Sequence, residues 1–229
     1  MSMYVYCCLY YLISFDFTVY FFIYNVSWFY VKNVEMKITS ARFVQSVTSI
    51  DQCLTWFPMF AFFWRSNVGK SSLINMLTQR NDLAKYSKIP WKTKLFNFFM
   101  INESFVIVDL PWYWYAKSWR KERVDWLDFT QEFLTSWNDL VMTFLLVDSS
   151  IPPQRIDMDM ISCFIEEWIR FSIIFTKIDK CNQKEFAKNQ KLFKEEMKKI
   201  WLLDYKSFVV DNIHWKWRDE LLKFMETCL

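Results

Sequence analysis

One glycine in 229 residues is the tightest constraint on this chain. Glycine supplies the φ > 0 backbone that tight turns and helix ends use, and average usage would give about 16 copies in a chain this long. The single copy, Gly69, stands in Arg65-Ser66-Asn67-Val68-Gly69-Lys70-Ser71-Ser72. That run fits the phosphate-loop pattern G-x-x-x-x-G-K-[ST] at every fixed position but the first, where Trp64 stands in place of glycine. Tryptophan is overabundant, with 13 copies. The two anomalies meet at Trp64, where a small residue is needed most.

The length suits one α/β domain with extra chain, and 53% hydrophobic with 21% aromatic residues can bury a large core. A formal charge of +3 gives no strong field for nucleic acid, although a local basic face is compatible with it. The six cysteines form no C-x-x-C pair, which argues against a zinc ribbon and for reduced thiols in a cytoplasmic setting.

Residues 1–35 differ from the rest. Between Met3 and Val31 the one charge is Asp16, in a stretch full of Tyr, Phe and Ile. Two readings stand. In the first, the native chain starts at Met36 and the preceding residues are a spurious extension. In the second, they form a membrane anchor, with Lys32, Lys37 and Arg42 on the cytoplasmic side. A basic n-region is missing, which disfavours a signal peptide. Residues 36–229 are read as the functional domain, with no stable membrane partner unless 1–35 is native.

From residue 58 onward apolar strands alternate with amphipathic helices. Strands are predicted at 59–63, 95–101, 105–108, 141–147, 171–175 and 207–210, with a turn at Asn102-Glu103 between the second and third. Helices are predicted at 71–79, 121–136, 157–169, 183–200 and 218–228. This alternation implies a mostly parallel, doubly wound six-stranded sheet with helices on both faces.

Four motifs carry chemistry. The loop Trp64 to Ser72 lies between a strand and a helix, so its amides and the helix N-terminus can cradle phosphate. Lys70 would reach the β- and γ-phosphates, and the Ser71 hydroxyl would ligate Mg²⁺. Asp109 ends a strand in Asp109-Leu110-Pro111-Trp112, where an acid supports Mg²⁺ through water; read alone, it is a strand-end turn residue. In Thr176-Lys177-Ile178-Asp179 the carboxylate would accept the N1–H and N2–H of guanine, a donor pair adenine lacks. In Trp91-Lys92-Thr93 the threonine stands where a switch residue ligates Mg²⁺ when the γ-phosphate is present.

These motifs, with Asn75, Tyr113, Tyr115-Ala116-Lys117 and Lys180, resemble the EngB family of bacterial GTPases over about residues 36–229. The resemblance implies a Ras-like fold, GTP/GDP and Mg²⁺ as ligands, and a GTP-hydrolysing switch linked to large ribosomal subunit assembly and to cell division. It places a last base-contacting loop at Val210-Asp211-Asn212, where the family usually has Ser-Ser or Ser-Ala. Tyr113 stands where Ras-type enzymes orient water with Gln, so slow intrinsic hydrolysis is expected. By analogy with related GTPases, Asn67 is a K⁺ ligand candidate. Lys85, Lys88, Lys92, Lys94 and Lys117 offer a basic face to ribosomal RNA or protein, or form a solvated surface. A monomer is expected. If the tryptophans fill the pocket, the alternative is a non-hydrolysing scaffold.

The family resemblance implies glycine at Trp64, Trp91, Trp112 and Trp114, and also at Trp168 and Trp217, whereas Trp126 matches a family tryptophan. Trp201, Trp28 and Trp56 are read as ordinary aromatics, and His214 as structural. Exchange of the smallest residue for the largest at several backbone-critical sites is too orderly for drift. It fits UGA codons, which some bacteria read as glycine and a common alternative code reads as tryptophan. Gly69 would then have an ordinary GGN codon.

Overall fold

A computed structural model describes residues 36–54, 56–65, 68–80, 83, 95–111, 129–135, 139–211 and 217–229. The strands are β1 (Ala41–Val47), β2 (Met59–Trp64), β3 (Phe96–Ile101), β4 (Phe105–Pro111), β5 (Leu140–Asp148), β6 (Phe171–Thr176) and β7 (Ser207–Val209). The helices are α1 (Lys70–Thr78), α2 (helical over 129–135), α3 (Arg155–Glu166), α4 (Gln183–Lys199) and α5 (Arg218–Cys228).

The sheet has seven strands in the order β1-β3-β4-β2-β5-β6-β7, not six. The added strand is β1, antiparallel to β3. It is an edge strand with mixed burial, so its apolar alternation is weak. The five strands from β4 to β7 are mutually parallel. The β3–β4 turn holds Asn102 at φ 51° and Glu103 at φ 50°, and the Ser104 amide donates to the Ile101 carbonyl at 2.9 Å. This is the type I′ geometry that matches strand twist. The Asn102 side chain accepts from the Thr39 and Ser40 amides at 2.8 and 3.1 Å and donates to the Lys37 carbonyl at 2.7 Å. It thereby fixes the approach to β1.

Period-two alternation distributes the side chains to two cores. Phe60, Phe62 and Trp64 face α1 and α5 together with Phe144, Ile174 and Phe208. Met59, Ala61 and Phe63 face α2, α3 and α4 together with Phe133, Phe164, Phe193 and Met197. Helices therefore cover both faces, as the alternation predicts.

Two polar devices tie helices to this frame. Asn182 caps α4 by accepting from the Glu185 amide at 2.9 Å, while Glu185 accepts from the Asn182 amide at 3.1 Å. Arg218, buried at the start of α5, donates from Nε to the Met76 and Leu77 carbonyls (3.1 Å each) and from Nη2 to Leu77 (2.8 Å). Those carbonyls end α1: that of Met76 also accepts the Gln79 amide at 3.3 Å, whereas that of Leu77 is served by the guanidinium.

Cys53, Cys163, Cys181 and Cys228 are free thiols, and burial pushes Cys53 up to about 12. Among the described residues no helix is long and apolar enough to cross a membrane. Residues 1–35 and His214 lie outside the described residues.

Candidate nucleotide site

The predicted site residues that are described gather at the carboxyl ends of the parallel strands. Open α/β sheets bind ligands there, where strand order reverses; here β2 lies between β4 and β5. The loop after β2 closes with the Val68 amide donating to the Arg65 carbonyl at 3.3 Å. Gly69 then takes φ 97°, a left-handed conformation at the N-cap of α1 that disfavours any residue with a Cβ. Lys70 is the first helical residue, and the Gly69 carbonyl accepts the Leu73 amide at 3.0 Å.

Alternation along β4 turns Asp109 toward α1, where it accepts a hydrogen bond from Lys70 Nζ. Asn97 Nδ2 donates to the same Oδ2 at 3.3 Å. The other oxygen, Oδ1, is buried without a hydrogen-bond partner among the described residues. Burial pushes the Asp109 carboxyl up to about 6, against the pull of Lys70 and Asn97. The Lys70 ammonium also lies 4.0 Å from the centre of the Trp64 ring. Lys70 is therefore held on two sides, by a carboxylate and by an indole face.

The Thr176-Lys177-Ile178-Asp179 motif is joined directly to this loop. Thr176 Oγ1 lies 2.6 Å from the Val68 carbonyl oxygen and 3.2 Å from that of Val147, as a donor. Lys177 takes φ 60° and donates from Nζ to Asp148 Oδ2 at 2.8 Å. Burial alone would raise the Asp148 carboxyl, but hydrogen bonds from Lys177 and Ser150 hold it below its ordinary value. Asp179, in the turn after β6, pairs with Lys180 at 3.5 Å. The Val210 amide donates to the Phe175 carbonyl at 2.8 Å, which brings Val210 and Asp211 beside Thr176.

Arg65 faces Asp157 of α3 at 3.6 Å. Neither carboxylate oxygen of Asp157 is hydrogen-bonded among the described residues, and burial pushes this acid up to about 6 while Arg65 opposes the shift. Sequence reasoning missed Asp148, Asp157 and Asn97. Asp148 had a signal: it ends an apolar run as Asp109 does. An acid in a first helical turn and an asparagine in a strand carry none.

Ser66, Asn67, Trp91, Lys92, Thr93, Trp112, Trp114 and Asn212 lie outside the described residues, as do the side chains of Ser71 and Pro111. The Trp64, Arg65, Val68, Gly69, Lys70, Asp109, Leu110, Thr176, Lys177, Asp179, Val210 and Asp211 positions are brought to one end of the sheet.

A family profile described as 50S ribosome-binding GTPase matches residues 60–177. A probable GTP-binding protein EngB of Bacteroides thetaiotaomicron is 41% identical over 192 residues, covering 83% of this chain and 95% of that one. The corresponding protein of Christiangramia forsetii is 40% identical over 192 residues, covering 83% and 97%. Among solved structures, Era in complex with MgGDPNP and a fragment of 16S ribosomal RNA superposes with a TM-score of 0.52 at 21% identity, over 74% of this chain and 55% of that one. Translation elongation factor SelB from Methanococcus maripaludis, with the GTP analogue GPPNHP, gives 0.52 at 16%, over 75% and 34%. At these identities the two structures establish the fold. The architecture and the loop after β2 define a P-loop GTPase fold. Within that class, the chain belongs to the EngB family of GTP-binding proteins.

Proposed function

We propose that this protein is a GTP-hydrolysing switch that acts in assembly of the large ribosomal subunit, with a link to cell division. The observation that carries the nucleotide reading is the bond from Thr176 to Val68. It ties the loop after β2 to the Thr176-Lys177-Ile178-Asp179 turn, which supports a single nucleotide reaching both.

Lys70 would leave Asp109 and Trp64 to pair with the β- and γ-phosphates. The loop amides and the N-terminal end of α1 would share the remaining charge. Asp179 would select guanine, Thr176 and Lys177 would hold its loop, and Val210, Asp211 and Asn212 would close over the base. Mg²⁺ fits this donor set. Among the described residues no three acidic, histidine or cysteine side chains cluster, and Mg²⁺ commonly takes one or two carboxylates plus phosphate oxygens. Asp109, with its orphaned buried oxygen, would support the ion through water, with Ser71 and Thr93 as hydroxyl ligands. When bound, Mg²⁺ neutralises charge on the transferring phosphoryl group. Asn67 remains the candidate K⁺ contact. The protein would work as a cytoplasmic monomer.

The second reading is a non-hydrolysing scaffold. It is favoured by the indole of Trp64 beneath the lysine on which phosphate binding depends. Titration with GTP, ATP and XTP separates the readings. The switch predicts GTP binding that is gained or strengthened by glycine at 64, 91, 112 and 114, and a shift toward XTP in Asp179→Asn. No nucleotide binding by the glycine form would refute it. Equal turnover in NaCl and KCl would refute the K⁺ role.

A further inference from the structure

Five tryptophans lie among the described residues: Trp56, Trp64, Trp168, Trp201 and Trp217. Three have left-handed backbone, with φ of 75° at Trp56, 57° at Trp168 and 61° at Trp201. Only a few per cent of non-glycine residues sit there, with Asn, Asp and His enriched, because Cβ collides with the neighbouring carbonyl. Among the described residues the four other non-glycine positions at positive φ are Gln79, Asn102, Glu103 and Lys177, so tryptophan supplies three of the seven.

Two of the three positions are helix ends of one design. At the end of α3 the Trp168 amide donates to the Ile165 carbonyl at 3.2 Å and the Ile169 amide to Phe164 at 2.9 Å. At the end of α4 the Trp201 amide donates to Lys198 and the Leu202 amide to Met197, both at 3.1 Å. This is the Schellman motif, with tryptophan at the left-handed position that glycine usually takes. The apolar partners across each motif, Ile169 with Phe164 and Leu202 with Met197, belong to the core beneath. Nothing in the packing calls for an indole: Trp56, Trp168 and Trp201 are 89%, 86% and 89% exposed. Each position demands a bare backbone and gives the ring no neighbours to bury it.

We infer that the codons for Trp56, Trp168 and Trp201, together with Trp64, are UGA codons that the host reads as glycine. The native protein then carries glycine at both Schellman ends, at the turn before β2 and under Lys70. This corrects the reading of Trp56 and Trp201 as ordinary aromatics. Trp217 at φ −111° makes no backbone demand for glycine, so the family pattern alone speaks for that position. The Trp64 assignment rests on the nucleotide reading. Trp56 and Trp201 rest on backbone geometry alone and Trp168 on geometry together with the family pattern, none of them on the nucleotide reading, so the two fail separately.

Two measurements test the inference. Coding DNA is expected to show TGA at codons 56, 168 and 201, and peptides from the protein isolated from its host are expected to have the glycine mass there. TGG codons or tryptophan masses would overturn it. In the chain as written, replacement of each of Trp168 and Trp201 by glycine and by alanine separates loss of the ring from loss of Cβ. The glycine variant is expected to fold with an equilibrium constant about fivefold above the alanine variant at each site. Equal constants for the two substitutions would overturn the backbone argument.

Discussion

Arg218 bears a heavier share of the fold than its place at the start of the last helix suggests. Its three hydrogen bonds serve two carbonyls at the C-terminal end of α1, the helix that begins at Lys70. Hydrogen bonds to a charged group are worth about 1.5–3 kcal/mol each, and a cation at a helix C-terminus adds about 0.3–1 kcal/mol. In Arg218→Met the Leu77 carbonyl is stranded beneath α5 and the Met76 carbonyl keeps only the Gln79 amide, while the methionine recovers some apolar contact. A net loss of about 3 kcal/mol is expected. With a urea slope of about 2–3 kcal/mol per molar, the midpoint falls by about 1–1.5 M. The neighbouring Asp219 is 80% exposed and 3.5 Å from the guanidinium, so Asp219→Asn is expected to cost under about 0.5 kcal/mol. Arg218→Lys keeps the charge but loses the fork, and falls between. The measurement is urea unfolding followed by tryptophan fluorescence and far-UV circular dichroism together. If Arg218→Met unfolds within about 0.3 M of the parent, the guanidinium does not cap α1.

Other substitutions test separate contacts. Thr176→Val strands the Val68 carbonyl, with an expected cost of about 1–2 kcal/mol in unfolding and weaker guanine nucleotide binding in titration calorimetry. Asn182→Ala removes the capping box of α4, at a cost of about 1 kcal/mol in the same unfolding assay. Asp109 and Asp157 both titrate near 6 when folded, above the ordinary value of 3.8, so the folded state binds protons more tightly than the unfolded one. Their contribution is present below about pH 4 and lost as pH rises through 6. Asp157→Asn is expected to halve that slope, read as unfolding free energy between pH 4 and 6; an unchanged slope would remove Asp157 from the account.

Most of the parallel sheet was legible because its strands are apolar runs bounded by polar residues and its helices repeat at the helical period. Strand β1 was not, because an edge strand buries little and Ala41–Val47 shows no clean alternation. Strand β4 extends to Pro111 rather than stopping at Val108, since the polar Asp109 reads as a strand end although its carboxylate is fully buried. Lys70, Asp109 and the Thr176-Lys177-Ile178-Asp179 motif were legible as fixed spacings. Their connections were not. Thr176 to Val68, Arg65 to Asp157 and Arg218 to α1 span from 92 to 142 positions in sequence. Each is a tertiary contact with no local periodicity to announce it. Of the two Schellman tryptophans, Trp168 was marked by the family pattern, whereas Trp201 was illegible because the backbone angle that excludes it is visible only once the helix end is placed.

The anchoring of Lys37, Thr39 and Ser40 by Asn102 has a practical consequence for handling the molecule. The β3–β4 turn lies at the amino end of β4, away from Asp109 and the loop after β2. Residues 37–40 are pinned at that turn, so a linker joined at Met36 leaves the domain from the end of the sheet away from the site. A biotin or affinity tag placed there holds the protein on a surface with the carboxyl ends of the parallel strands facing solution, which is the orientation that nucleotide exchange and large-particle binding experiments both need.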